Sequence, residues 1–155
     1  MEAIIKFNIN KTSGFTLIEL VVVIVILGIM SAVAVPKFIS LQSDARAAVV
    51  NGLDGAVRGS STLVYSKALI DGVEQTANSN VDVTGGTVDT VFGYPASTAN
   101  GIATAVDLTA SSIAVTHAAS ISTYTYTGFT GCSVIYTQSA SAGAAPGIVT
   151  DTSGC

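Results

Sequence analysis

The chain has 155 residues, about one ordinary domain's worth, which excludes any arrangement that needs two full-sized catalytic domains. Apolar residues make up 49% of it, but charged residues only 10%, against about 25% in a typical soluble domain. Ten acids face six bases, and from residue 68 onward there are six acids (Asp71, Glu74, Asp82, Asp89, Asp107, Asp151) and no Lys or Arg; direct nucleic-acid binding and docking on anionic membranes are disfavoured for that half.

Residues 1–14 form a short polar-flanked segment carrying Glu2, Lys6 and Lys11. Then comes an apolar run from Phe15 to Val35 whose single ionisable side chain is Glu19. A helix of that length spans roughly 30 Å at about 1.5 Å per residue, the thickness of a bilayer's hydrocarbon core. The run is apolar all round, unlike the amphipathic helix of a soluble domain. One reading is an ordinary signal-anchor helix with lysines on the cytoplasmic side. A cleavable signal peptide fits less well, because its apolar region runs to only about 7–15 residues. Small residues at Gly28, Ser31, Ala32 and Ala34 either let neighbouring helices approach closely or simply tolerate lipid.

Pro36 removes a backbone hydrogen bond and crowds the carbonyl four residues back, so a kink or break is expected near residue 32. Beyond it Phe38, Leu41, Ala45, Ala48, Val49, Leu53, Val57 and Val64 recur at helical steps, which predicts an amphipathic helix over 36–68 with those residues as its apolar stripe. Gly52, Gly55 and Gly59 weaken such a helix by about 1 kcal/mol each relative to Ala. They suggest close packing on something flat, and Gly55-x-x-x-Gly59 reads as helix-to-sheet packing rather than a membrane dimer motif. The whole is one helix from Phe15 to about Ala68, about 80 Å long, so its first half is expected to project.

After Gly72 the helical period disappears. Thr87–Tyr94, stopped by Pro95, is a candidate strand, and Ser97–Leu108 a short helix weakened by Gly101. Ile113–Thr116, Ile121–Phe129 and Cys132–Thr137 are further strands; in the second, Tyr124 and Tyr126 share one face and Thr123, Thr125 and Thr127 the other. Gln138–Cys155 has little periodicity and is read as a loop. The fold class expected is α+β: a long N-terminal helical spine, hydrophobic and then amphipathic, packed on a small antiparallel sheet head over 69–155.

Two cysteines, Cys132 and Cys155, are too few for a zinc site and fit one disulfide, two unrelated free thiols being the alternative. A disulfide would place this half outside the cytoplasm and close the 132–155 segment. His117 is the lone histidine, and a surface or packed imidazole fits it better than a catalytic one. No nucleophile elbow, phosphate-binding glycine loop or metal-binding helix motif occurs, so no catalytic, cofactor-binding or metal residues are expected and the chain is not read as an enzyme.

The segment Gly14-Phe-Thr-Leu-Ile-Glu19-Leu, the apolar run behind it and Pro36 resemble type IV pilins and the related pseudopilins. The resemblance implies that a prepilin peptidase cuts between Gly14 and Phe15, removing residues 1–14 as a leader, and N-methylates Phe15. It makes 15–35 the transmembrane and then filament-core helix. Glu19 becomes the assembly residue, paired with a Phe15 amine of its own or an adjacent subunit; snorkelling to the interface is the bland reading of that carboxylate. Asn10-Lys11-Thr12, a glycosylation acceptor on paper, falls in the leader. A cysteine pair like Cys132 and Cys155 is common in pilins, with the enclosed region on the filament surface.

Phe38-Ile-Ser-Leu-Gln-Ser-Asp-Ala-Arg46, Gly52-Leu-Asp-Gly-Ala-Val-Arg-Gly-Ser60, Val64-Tyr-Ser-Lys-Ala-Leu-Ile-Asp-Gly72 and Phe92-Gly-Tyr-Pro95 resemble the mannose-sensitive haemagglutinin class of type IV pilins. This implies a major pilin: a single-pass inner-membrane precursor that becomes a surface filament of a Gram-negative bacterium, used in adhesion and biofilm formation. The implied partners are identical subunits, the prepilin peptidase, inner-membrane assembly machinery and minor pilins. A type II secretion pseudopilin is the alternative, with a DNA-uptake pilin and a membrane-anchored periplasmic enzyme behind it.

Overall fold

The computed structural model describes residues 14–108 and 111–155; the expected leader over 1–13, with Lys6, Lys11 and the Asn10-Lys11-Thr12 triplet, lies outside the described residues. The chain divides into two compact units, Met1–Ser40 and Leu41–Cys155. One helix, α1 (Leu17–Asp71), belongs to both, and it carries Pro36 inside it.

In the first unit every described residue is exposed. Its most apolar 18-residue window has a mean hydropathy of 2.9 and none of it is buried. Side chains such as Leu20, Ile24, Leu27 and Val33 are left more than half open. Leaving that much hydrocarbon in water is unfavourable by about 25 cal/mol per Å², so the unit needs lipid or protein around it.

The second unit is built on the inner face of α1. Val50, Leu53, Val57, Ser61, Val64 and Ala68 are buried there, at steps of three and four residues. Two antiparallel sheets form the rest. β1 (Ser79–Val83), β2 (Gly86–Val91) and β3 (Tyr94–Pro95) make one, in the order β1-β2-β3. β4 (Ile113–Ala118), β5 (Ile121–Tyr126), β6 (Ser133–Thr137) and β7 (Gly147–Asp151) make the other, in chain order. Between the sheets a π-type turn, Ala99–Ala103, runs into the single α-turn α2 (Thr104–Val106). Val50, Leu53 and Val57 pack with Ile102, Tyr124, Val134, Tyr136 and the two cysteines. Val64 and Ala68 pack with Val81 and Val88. The α+β class read from the sequence is the class observed.

Alternation explains the strands. Ser122 and Tyr124 turn inward from β5, and Val134 and Tyr136 from β6, while the intervening residues are more open. Burial pushes the Tyr124 and Tyr136 hydroxyls well above the ordinary phenol range. Tyr136 donates to the Pro95 carbonyl at 2.7 Å, and Ser97 Oγ donates to the Ser120 carbonyl at 2.8 Å; both bonds join the two sheets.

Four readings of the sequence need correction. The apolar stripe holds at Leu53, Val57 and Val64, which are buried, but not before them: Phe38, Leu41 and Ala45 are exposed because the sheets cover α1 only from about residue 46 onward, and beyond that point Val50 is buried while Ala48 and Val49 are exposed. Gly52, Gly55 and Gly59 lie on the open face, where an added Cβ would meet nothing within 4 Å, so they do not serve helix-to-sheet packing. The single sheet is two, with β1 unforeseen. The C-terminal segment read as loop contains β7, whose Ile135↔Val149 and Tyr136↔Ile148 pairs complete the second sheet.

The register makes a direct prediction. Val50→Ala lowers the stability of the full chain in detergent by about 2 kcal/mol, and Val49→Ala by less than about 0.5 kcal/mol, in urea unfolding followed by tyrosine circular dichroism. Equal losses would contradict the register.

Candidate processing and assembly site

The described part of the first unit begins with Gly14, where an added Cβ would meet nothing within 4 Å, and Phe15, 94% exposed. The scissile position expected from the sequence therefore lies open, just ahead of the first turn of α1. Thr16 is the residue immediately before the helix, and Glu19 stands three residues on. The Thr16 backbone N–H and its hydroxyl both donate to Glu19 Oε2 at 2.8 Å. In return the Glu19 backbone N–H donates to Thr16 Oγ1 at 3.3 Å. This is a capping box, in which two backbone donors otherwise unpaired at a helix start are satisfied reciprocally. The carboxylate also sits at the positive end of the helix dipole.

Thr16 is the residue the sequence reading passed over. Its signal was present, since Thr-x-x-Glu ahead of an apolar run is the capping-box pattern. Both contacts use Oε2, and Oε1 accepts no hydrogen bond from the described residues. A shallow recess of about 360 Å³, lined by Phe15, Ile18, Glu19, Val22 and Val23, surrounds the carboxylate. The site can therefore do two things: start a helix in an apolar setting, and offer one carboxylate oxygen to a cation.

Within the second unit Cys132 and Cys155 are joined in a disulfide, both nearly fully buried. The segment they enclose is fastened to α1 by three polar groups. Arg46 Nε donates to the Cys155 carbonyl, and its guanidinium lies 4.1 Å from the centre of the Phe129 ring. An Arg58 guanidinium nitrogen donates to the Ile148 carbonyl at 3.1 Å. Thr150 Oγ1 donates to Asp54 Oδ1 at 2.9 Å, while Arg58 Nε pairs with Asp54 Oδ2 at 2.8 Å. Gly154 is obligatory, because a Cβ there would lie 1.8 Å from the Thr130 carbonyl oxygen. His117 Nδ1 lies 2.8 Å from Ser122 Oγ, its cross-strand partner. Among the described residues no group of three or more His, Cys, Asp or Glu is placed to hold a metal.

Residues 9–35 match the family described as a prokaryotic N-terminal methylation motif. That match takes in Gly14, Phe15, Thr16 and Glu19. The chain is also similar to three curated proteins. It is 45% identical over 58 residues to the type IV narrow pilus major component PilA5 of Thermus thermophilus, covering 37% of this chain and 50% of that one. It is 52% identical over 43 residues to the type II secretion system core protein G of Pseudomonas aeruginosa, covering 28% and 30%. Against the type IV major pilin protein PilA of Myxococcus xanthus it is 50% identical over 38 residues, covering 24% and 17%. The chain thus spans half or less of the length of each of these relatives. No solved structure gives a significant match.

The tether to β7 carries a pH dependence. The Arg58 hydrogen bond, aided by Thr150, holds the Asp54 carboxyl below its ordinary range. A carboxyl depressed in the folded state contributes stability above its unfolded pKa of about 3.9, and loses it as pH falls through the folded value. Because Arg58 is half exposed, solvent screening limits the contribution to about 0.5 kcal/mol. Asp54→Asn is expected to cost about that much at pH 7 and to flatten the loss of stability below about pH 4, in urea titrations across pH.

Proposed function

We propose that this chain is the precursor of the major structural subunit of a type IV pilus. The observation that carries the reading is the match to the methylation motif at a point where an open Gly14-Phe15 junction meets a capped helix with a lone carboxylate. Cleavage between Gly14 and Phe15 by a prepilin peptidase removes the 1–14 leader and leaves the apolar segment attached. It creates a cation at Phe15, next to Glu19 in sequence by one helical turn. An acid inside an apolar span costs about 2.5–3.5 kcal/mol at mid-membrane and less near an end, so pairing with such a cation is favourable.

Before assembly, 15–35 sits in the inner membrane. In the filament the exposed side chains of that segment are covered by copies of themselves, and head-to-tail addition that does not close yields an open helical polymer. Glu19 Oε2 remains with Thr16, and Oε1 takes the methylated Phe15 amine of an adjacent subunit, which fixes axial register. Pro36 is the kink site, 36–68 the amphipathic helix of the head, and 69–155 the globular head. The finer assignment is to the mannose-sensitive haemagglutinin class in a Gram-negative bacterium, with adhesion and biofilm formation as the use, and with assembly machinery and minor pilins as partners. Each similar protein is named as a pilus or secretion-system component, which supports a structural rather than an enzymatic role.

Likeness to the type II secretion core protein G favours one second reading, a pseudopilin. Sheared extracellular filaments analysed by mass spectrometry distinguish the two: the pilin reading expects long fibres whose subunit begins at methylated Phe15. Glu19→Ala is expected to cut fibre yield at least about tenfold while the processed monomer accumulates in the membrane. Mature protein that still begins at Met1 and stays dispersed after detergent removal would overturn the polymer reading.

A further inference from the structure

The two sheets are not tied to α1 in the same way. The disulfide and the polar tethers of Arg46, Asp54 and Arg58 all serve the second sheet. The first sheet meets α1 through Val64, Ala68, Val81 and Val88, and through one aromatic pair, Tyr65 of α1 and Tyr94 of β3. Their rings are stacked, with centroids 4.3 Å apart and planes 11° from parallel.

Both rings are held. Phe92 and Gly93 form the two-residue turn between β2 and β3, with φ of 51° and 81°, the left-handed pair that tight hairpins need. That turn is pressed onto the chain just after α1. Phe92 N–H donates to the Thr76 carbonyl at 2.9 Å. A Cβ on Gly93 would lie 2.9 Å from Glu74 Cα and 3.0 Å from Tyr65 Cδ2, so glycine is what lets this turn close on Tyr65. On the other side of Tyr94, the Pro95 carbonyl is fixed by the Tyr136 hydroxyl. A residue such as Phe92 keeps a positive φ only where its surroundings over-determine it. The two phenols are therefore kept in register and do not meet by chance.

The other tyrosines lack this arrangement. Tyr124 and Tyr136 are fully buried, closed to an oxidant diffusing in water. Tyr126 faces Phe129 edge-on at 5.8 Å, and a phenyl ring forms no phenoxyl radical. Tyr65 and Tyr94 are partly exposed. Burial first, and then the Tyr65 hydroxyl, raises the Tyr94 hydroxyl above its ordinary range, so Tyr94 is a neutral phenol at pH 7 and gives up its proton with its electron. We propose that Tyr65 and Tyr94 form an oxidative coupling site, at which a peroxide-class oxidant joins the two rings through a Cε–Cε bond and staples the first sheet to α1. Each phenol loses one electron and its hydroxyl proton, leaving a phenoxyl radical. The radicals pair to form the carbon–carbon bond, and each coupled Cε gives up its hydrogen as a proton while the ring oxygen regains one. In sum two electrons and two protons leave the protein, and hydrogen peroxide takes them up to become two molecules of water. The site lies wholly in the second unit and owes nothing to polymerisation.

The test oxidises the full chain in detergent micelles with tris(bipyridine)ruthenium, light and persulfate, a small-molecule source of one-electron oxidant. The product is reduced, unfolded and digested with trypsin, which cuts after Arg58 and Lys67 and so separates the peptide holding Tyr65 from the one holding Tyr94. Residues 59–67 are expected to stay joined to residues 68–155, at a mass two hydrogens below the sum, with biphenol fluorescence and a yield unchanged by dilution of the protein. Fragmentation places the link at Tyr94, and the coupled chain unfolds at a higher urea concentration than the untreated one. Tyr65→Phe and Tyr94→Phe each remove one oxygen, keep the stack and abolish the product, whereas Tyr126→Phe leaves it intact. Should a variant not fold, the wild-type link map alone decides. The proposal fails if residues 59–67 are released unjoined, if the link falls on Tyr124, Tyr126 or Tyr136, or if the yield falls on dilution, which marks coupling between chains. An unchanged urea midpoint in the coupled chain overturns the staple.

Discussion

The second unit depends on one stripe of α1. Val50, Leu53 and Val57 supply the floor for the four-stranded sheet, and Val64 and Ala68 for the three-stranded one. Strand pairing does not join the sheets. They share instead one face of α1, with Ser61 between its two apolar stretches, plus the Tyr136–Pro95 and Ser97–Ser120 hydrogen bonds. Short residues suit that role, since a helix must approach two twisted surfaces at once. The core is correspondingly modest, and the disulfide, the Arg46–Phe129 stack and the Asp54–Arg58–Thr150 cluster supplement it where β7 would otherwise be a free edge. An unsupported edge strand is a template for unwanted pairing, so fastening it matters beyond stability.

The first unit obeys a different constraint. Its apolar surface is too large and too uniform to select a face, so nothing within the segment sets how deep or in what register it sits. Glu19 is the exception. The capping box ties that carboxylate to the helix start, which keeps its position along the axis fixed and leaves one oxygen available.

Much of this was legible before any coordinates. The apolar run, its breaker and the amphipathic continuation announce a long helix, because periodicity and composition are strong signals over 50 residues. The strands β4, β5 and β6 were legible from β-branched and aromatic alternation. The buried stripe's start was not: Leu53, Val57 and Val64 were legible, but Val49 and Val50 are adjacent and equally apolar, and only the position of the sheets decides which one is covered. β1 and β7 escaped because Ser-Asn-Val-Asp-Val and Gly-Ile-Val-Thr-Asp hold too few apolar residues to stand out, and pairing with neighbours makes them strands. At the candidate site Glu19 stood out as a lone charge, whereas Thr16 was legible only through its three-residue spacing to Glu19, the capping-box pattern, and not from its own residue type.

The last basic residue, Lys67, sits one turn before the end of α1. Trypsin therefore has nowhere to cut in the sheets: complete digestion of the unfolded chain leaves residues 68–155 as one fragment with its disulfide inside. Amine-directed dyes and cross-linkers find no lysine there either. Any reagent meant to report on the head must be aimed at its carboxylates, its tyrosines or the reduced cysteines.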